Sequence, residues 1–329
     1  MKYNVVVTDL IADDLAPEKE VLGDMADVVA LDSHHEDDLA GRIEEADAIM
    51  LYHAISLTGK TIARLNRCKL IVRAGVGYDN VDRLLARERG IPVANVPDYG
   101  TEEVADSAIG FMLALTRGVA QLNSIMRRGA EPWSYIHAAP LHRLRGRVLG
   151  IVGLGRIGTA TALRAKALGM DVVFYDPYKP CGHDKAVGIR RAERFDDLLQ
   201  QSFVLSTHCP LTEETFHMLD RRTIARLPRG AYLVNTARGG VVDATALPEA
   251  LLSGQLSGAG IDVLEEEPPP ADHPLLVAWR DPSHPAYHRL LLNPHAAFYS
   301  VQGAIELRTK SANACRRALS GQPIPNVVN

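Results

Sequence analysis

A chain of 329 residues, 47% hydrophobic and 23% charged, is long enough for about two domains with cores of their own and has the composition of an ordinary globular protein. Its 40 acids outnumber 36 Lys and Arg for a formal net charge of −4, and the interspersed signs leave no footprint for nucleic acid or an anionic membrane surface. The first ten residues form a strand-like run rather than a basic segment followed by an apolar one, and no apolar run reaches about 18 residues, so a cytoplasmic protein acting on small molecules is expected.

Cys68, Cys181, Cys209 and Cys315 are scattered without paired spacing, which reads as free thiols in a reducing compartment. His34, His35, His284 and His288 lie in polar segments without convergent acids or cysteines, so no metal site is expected.

Residues 1–98 alternate strand-like runs (Asn4–Thr8, Ala48–Leu51, Leu70–Ala74, Val93–Val96) with helical stretches near Pro17–Met25, Asp37–Ala46, Gly59–Leu65 and Val81–Arg89. That alternation implies a parallel sheet with right-handed crossovers. The segment Arg73–Asn80 (RAGVGYDN) closes one strand, and its two glycines leave backbone N–H groups open to a ligand. No glycine-rich phosphate turn follows the first strand, so this segment is a candidate substrate domain.

After a break at Asp98–Thr101, apolar spacing over Ala105, Ile109, Met112, Leu113, Val119, Leu122 and Met126 predicts one long helix from Glu102 to about Arg128. It is apolar on more than one face, as at a subunit contact. Asn80–Asp82 and Thr101–Glu103 carry the polar caps and acids of helix N-termini.

The unit Leu149–Asp176 organises the rest. An apolar strand, Val148–Val152, runs into Gly153-Leu-Gly155-Arg-Ile-Gly158, a helix follows, and a second strand, Val172–Tyr175, ends on Asp176. Gly153 permits a tight turn, Gly155 lets the backbone approach a pyrophosphate, and Gly158 allows close helix–strand packing, while the helix N-terminus holds the phosphate charge. Asp176, 18 residues beyond Gly158, stands where an acid binds both ribose hydroxyls of NAD and repels the 2′-phosphate of NADP.

Strands at Phe203–Thr207, Ala231–Asn235, Gly260–Val263 and Leu290–Asn293, with helices at Asp220–Leu227 and Ala246–Leu252, complete a doubly wound sheet. Ligands of such sheets bind beyond the carboxyl ends of the strands, which singles out His208-Cys209-Pro210, Thr236-Ala237-Arg238, Asp262 and His295. Glu265–Pro285, rich in Pro and acids, reads as a surface insertion without an element of its own. Val301–Ala318 reads as an amphipathic helix packing back on the first domain.

Arg238, Glu267 and His295 carry the candidate chemistry. An arginine grips a carboxylate bidentately and polarises a neighbouring carbonyl oxygen. A histidine whose second ring nitrogen meets a carboxylate is held in one tautomer and can donate a proton. With a nicotinamide, these three supply what reduction of a 2-keto acid requires.

Through Val152–Gly158 (VGLGRIG), Asn235–Asp243 (NTARGGVVD), Gly260–Pro268 (GIDVLEEEP) and Asn293–Ser300 (NPHAAFYS), essentially the whole chain resembles the NAD-dependent D-isomer-specific 2-hydroxyacid dehydrogenases. Within that family Tyr52-His53, Val72–Asp82 and Phe298-Tyr299-Ser300 are most similar to the C-terminal-binding-protein branch. The resemblance implies an α/β protein of two Rossmann-like doubly wound parallel-sheet domains. The substrate domain, of flavodoxin-like type, would comprise 1–99 plus 299–329 and the NAD-binding domain 100–298, with a homodimer built through the latter.

The resemblance makes Arg238 the carboxylate-binding arginine, Glu267 the acid partner and His295 the general acid/base. Gly153, Gly155, Arg156, Ile157, Gly158, Asp176, His208, Cys209, Pro210, Thr215, Thr236, Ala237 and Asp262 become cofactor contacts. In the substrate domain it assigns His53, Arg73, Val76 and Gly77 to the substrate, and near the catalytic histidine Phe298. The spacer from Glu267 to His295 is longer than the family pattern, and only a short tail follows the last predicted helix, so no serine-responsive regulatory domain is expected. A 2-keto acid with an apolar side chain fits Phe298 better than glyoxylate or a phosphorylated acid. An NADH-sensing scaffold that recruits a peptide partner is the alternative.

Overall fold

The computed structural model describes residues 2–329. In chain order the elements are β1 (Tyr3–Val7), α1 (Ala16–Leu22), β2 (Ala26–Ala30), β3 (Ala48–Leu51), α2 (Gly59–Ile62), β4 (Ile71–Arg73), α3 (Arg83–Glu88) and β5 (Val93–Asn95). Then come α4 (Thr101–Thr116), α5 (Val119–Arg127), β6 (Val148–Val152), α6 (Arg156–Ala167), β7 (Asp171–Tyr175), α7 (His183–Val187), β8 (Arg190–Arg191) and α8 (Phe195–Gln201). The last are β9 (Val204–Thr207), α9 (Arg221–Ile224), β10 (Ala231–Asn235), α10 (Leu247–Leu252), β11 (Leu256–Ile261), α11 (Pro274–Arg280), α12 (Ala286–Arg289), β12 (Leu290–Leu292) and α13 (Val301–Leu319). They divide into two compact units, Met1–Gly100 with Tyr299–Asn329, and Thr101–Phe298.

The first unit is a parallel five-stranded sheet in the order β2-β1-β3-β4-β5, the 2-1-3-4-5 arrangement of flavodoxin-like folds. β1, β3 and β4 are buried almost without a break, as strands covered on both faces must be. α13 packs on α1, β3 and β4, so the chain's last helix completes the unit that its first strand begins. Among its contacts is an ion cluster: Arg308 donates to Glu18 Oε1 and Oε2 at 2.7 and 2.6 Å and to Asp13 at 2.6 and 2.8 Å.

The second unit has seven parallel strands in the order β12-β11-β10-β9-β6-β7-β8. Counted from β6, this is the 3-2-1-4-5-6 order of dinucleotide-binding sheets with one strand added, and the order reverses between β6 and β9. α4 lies over β10 and β11 because β11 presents glycines: a β-carbon at Gly260 would come within 2.8 Å of the Phe111 ring and one at Gly258 within 3.0 Å of Leu115.

Several expectations are revised. The single helix over 102–128 is two, broken at Gly118, whose left-handed φ of 63° turns the chain; α4 is the buried half and α5 buries no residue fully. The helix expected over Asp37–Ala46 shrinks to a 3-10 turn at Glu36–Leu39, stopped by Gly41 at φ 77°. β2, α7, β8 and α8 were not anticipated; β2 is a half-exposed edge strand whose burial alternates. Inside the Pro-rich segment 265–285 lies α11, with Pro274 in its first turn, His273 Nδ1 accepting from the Leu275 N–H at 3.2 Å, and Leu275 and Leu276 buried. Proline at a helix start is the signal that reading overlooked.

Glu18 is fully buried, so its charge depends on Arg308. Arg308→Met is expected to destabilise the first unit by about 3–5 kcal/mol, because a buried carboxylate is left uncompensated. Replacing Glu18 and Arg308 together by apolar residues should recover most of that loss. Urea unfolding of the single and double variants checks both.

Candidate active site

The phosphate-type turn sits at the point where strand order reverses. Gly153 adopts φ 87°, and a β-carbon there would lie 2.9 Å from the Cys209 backbone, so β6 exits hard against the end of β9. A β-carbon at Gly158 would lie 2.2 Å from the Gly153 carbonyl oxygen, which is why α6 can sit directly on the turn. Gly155, the N-cap of α6, faces open space, and no side chain caps the helix. The first-turn residues Arg156, Ile157 and Gly158 therefore carry N–H groups without a side-chain cap and with no acid among them.

Asp176 ends β7. Its Oδ2 accepts from Leu154 N–H at 2.9 Å and its Oδ1 from Tyr178 N–H at 3.0 Å, which holds the carboxylate beside the turn. Across the turn, His208 and Cys209 follow β9. His208 Nε2 lies 2.9 Å from Ser206 Oγ, and Nδ1 is buried with no partner. Burial pushes its pKa down to about 3 and the Cys209 thiol up to about 12, so both groups stay neutral. From Pro210 the chain turns back on itself: Thr215 Oγ donates to Pro210 O at 2.7 Å and accepts from Thr212 N–H at 2.8 Å. Thr236, after β10, has a buried hydroxyl without a partner. An uncapped helix start, an open glycine, a carboxylate after the adjacent strand and two orphaned polar atoms at neighbouring strand ends fit an extended, polar, phosphate-bearing ligand.

Arg238 is placed by a residue that sequence reading missed. Asn235, fully buried at the end of β10, accepts from Thr207 Oγ at 2.7 Å and from Ala237 N–H at 3.1 Å, and donates to Arg238 O at 2.9 Å. A polar residue closing an otherwise apolar strand was the available signal. A β-carbon at Gly239 would fall 1.9 Å from the Leu264 carbonyl carbon, so the Arg238-Gly239 backbone lies against the segment that carries Glu267.

Glu267 and His295 are brought together although they stand 28 positions apart in the chain: His295 Nδ1 lies 2.6 Å from Glu267 Oε2. Glu267 Oε1 accepts from Leu264 N–H at 2.8 Å. His295 takes the left-handed φ of 51°, uncommon for a side chain of its size, and Asp262 enforces it. The Asp262 carbonyl accepts from His295 N–H at 2.8 Å, and its carboxylate accepts from Ala296 and Ala297 N–H, each at 3.0 Å. Burial raises the Asp262 pKa, opposed by these hydrogen bonds and by nearby His295. Phe298 stands edge-on to the His295 ring at 6.2 Å.

In the first unit the predicted substrate residues gather at strand ends. Arg73, buried at the end of β4, donates from Nε to Asn80 Oδ1 at 3.3 Å and from Nη1 to Ala74 O at 3.1 Å. Asn80 Nδ2 donates to Tyr52 O and Ile55 O at 2.9 and 2.7 Å, tying the loop that holds His53 to Arg73. Asn95 donates to Val76 O at 2.6 Å and so positions Val76 and Gly77. A β-carbon at Gly75, at φ 148°, would lie 1.6 Å from Arg73 Nη1, so glycine there makes room for the guanidinium. Asn80 and Asn95 had been assigned no site role from sequence.

Residues 109–297 match the NAD binding domain of the D-isomer specific 2-hydroxyacid dehydrogenases. The chain is 36% identical over 289 residues to a glyoxylate reductase of Korarchaeum cryptofilum, covering 88% of this chain and 84% of that one. It is 34% identical over 325 residues to a D-3-phosphoglycerate dehydrogenase of Methanocaldococcus jannaschii, covering 99% of this chain but only 59% of the relative's length. The crystal structure of D-lactate dehydrogenase from Aquifex aeolicus, complexed with NAD and lactic acid, matches with a TM-score of 0.85 at 28% identity over 97% of this chain and 96% of that one. A parallel 3-2-1-4-5-6 sheet with a phosphate turn at its switch point, together with these likenesses, places the chain in the D-isomer-specific 2-hydroxyacid dehydrogenase family.

Proposed function

We propose that the protein interconverts a 2-keto acid and a D-2-hydroxy acid with NAD as its cofactor. The observation that carries the reading is the Glu267–His295 pair at 2.6 Å, held against the backbone segment that carries Arg238. Gly153, Gly155, Arg156, Ile157 and Gly158 hold the diphosphate, Asp176 the adenosine ribose, and His208 to Pro210, Thr215, Thr236, Ala237 and Asp262 the remainder. When bound, the nicotinamide supplies or accepts the hydride at the substrate's C2.

His295, with Nδ1 donating to Glu267, exchanges a proton through Nε2 with the substrate's C2 oxygen. Glu267 fixes the tautomer and stabilises the imidazolium. Arg238 grips the carboxylate and polarises the carbonyl, offsetting the negative charge that grows on its oxygen. Arg73, His53 and the Val76-Gly77 backbone serve the substrate from the first unit. The likeness to the C-terminal-binding-protein branch supports an NADH-sensing scaffold as the alternative; the complete Arg/Glu/His set favours the enzyme. Exposed Trp133, Tyr135 and Ile136 beside α5 support a homodimer built through the second unit. No helix among the described residues is long and apolar enough to cross a membrane, and we place the protein in the cytoplasm.

His295→Ala is expected to lower kcat by roughly 10²–10⁴ with NADH affinity little changed, the usual contribution of a positioned proton donor. Arg238→Lys should be nearly as damaging, since a point charge cannot reproduce a two-pronged grip. Steady-state NADH oxidation with a keto acid checks both; parent-like kcat in His295→Ala would remove it from the mechanism.

Asp176 is followed by Pro177 and Tyr178 rather than by arginines that could meet a phosphate. NADH should be preferred over NADPH, and Asp176→Ala should erode the preference. Equal kcat/KM for the two cofactors in the parent would contradict this assignment.

The Phe298 ring beside His295 favours an apolar keto acid of the methylthio-oxobutanoate or phenylpyruvate kind. Each buried methylene is worth about 0.8 kcal/mol, so such acids should exceed glyoxylate by roughly one to two orders of magnitude in kcat/KM, and Phe298→Ala should compress the ranking. A panel running from glyoxylate to phenylpyruvate, including a phosphorylated acid, decides it; glyoxylate or the phosphorylated acid as best substrate refutes the apolar pocket.

A further inference from the structure

Two chain segments flank the phosphate turn. β6 lies between β7 and β9, so Asp176–Tyr178 forms one rim of the crevice and the Cys209–Thr215 loop the other. Tyr178 is anchored at both ends: its N–H donates to Asp176 Oδ1 at 3.0 Å, and its phenol donates to Glu214 Oε2. Glu214 sits in the turn that Thr215 closes through Thr212 and Pro210. The ring between these anchors is 76% exposed. Packing therefore does not hold Tyr178 over the crevice; the bond from rim to rim does. That hydrogen bond also holds the phenol's pKa above its ordinary value.

We propose that Tyr178 and Glu214 form a strap across the adenosine half of the dinucleotide site, retaining bound NADH and adding a second carboxylate against the 2′-phosphate of NADPH. The inference rests on reading Asp176 as the ribose-binding acid. An adenosine whose ribose hydroxyls meet Asp176 occupies the space between the two rims, and it can leave only when they part. A 2′-phosphate there, carrying a charge of about −2 at pH 7, would face Glu214 as well as Asp176. Lys179 is the one cation in the sequence run Asp176–Lys179, and its carbonyl, not its ammonium, is tied down, accepting from Arg191 Nη1 at 3.0 Å. The two residues have separable tasks: the phenol supplies only the link, whereas Glu214 supplies both link and charge.

The test measures dissociation constants and stopped-flow release rates of NADH and NADPH, by nicotinamide fluorescence, for the parent, Tyr178→Phe, Glu214→Gln and the double variant. Hydrogen exchange of residues 209–215 is followed in the protein without cofactor. Each single variant should release NADH roughly three- to tenfold faster, as expected for losing one charge-assisted hydrogen bond in a solvated setting. The double variant should be no faster than either single, because both remove the same bond. Compared with Tyr178→Phe, which loses the link alone, Glu214→Gln should bind NADPH roughly three- to fivefold more tightly, the size of an exposed charge interaction. Exchange in 209–215 should quicken in both.

NADH release within twofold of the parent in both variants overturns the strap, as do additive effects in the double variant or unchanged exchange. A parent that binds no NADH overturns the cofactor reading itself. A parent that binds NADH with unaltered variants leaves that reading standing and removes only the strap.

Discussion

The buried carboxylate of Asp262 is the constraint on which the candidate chemistry depends. It stands at the end of β11, one residue beyond the last ladder pair, and accepts two backbone N–H groups from the segment that follows His295. Burying a carboxylate is costly unless such donors meet it, and the rise in its pKa reflects that cost. In return the turn at 295–297 has one conformation available, and His295 is held in a left-handed backbone state that a free loop would rarely keep. The imidazole is aimed first by backbone and only then by Glu267.

A second constraint is close approach of backbones. At Gly153, Gly158 and Gly239 a β-carbon would lie between 1.9 and 2.9 Å from main-chain atoms of a neighbouring segment. These contacts draw the ends of β6, β9, β10 and β11 inward, so residues distant in sequence meet at one edge of a parallel sheet. The polar atoms left over in that convergence are His208 Nδ1 and Thr236 Oγ. The first unit uses the same device on a smaller scale, with Gly75 yielding space to Arg73 while Asn80 and Asn95 tie the loops beside it.

Much of this was legible in the chain because the relevant signals are local. Glycine spacing after an apolar strand, an acid at the end of the next strand and the alternation of strand and helix each report a nearby backbone requirement, and they sufficed for the α/β class and the phosphate turn. Asp82 as a helix cap, accepting from Leu85 N–H at 3.0 Å, is legible for the same reason. Signals that depend on a partner elsewhere were lost. β2 is an edge strand whose pattern is only half apolar, and α4 and α5 carry one continuous periodicity that only the backbone at Gly118 interrupts.

The sequence by itself determined the chemistry on offer: an arginine, a glutamate and a histidine after strands, and a turn able to approach phosphate. Tertiary structure decided their use. The chain between Glu267 and His295, which stand 28 positions apart, is folded through α11 and β12 so that the two side chains meet, a closure that no local pattern encodes. Asn235 and Asn95 read as strand residues and Asn80 as part of a helix start until the strands lie side by side, and only then does each amide find loop atoms to hold. The physical reason is the same throughout: propensity and motif act over a few residues, whereas a hydrogen bond between loops exists only once the sheet has set the distance between them.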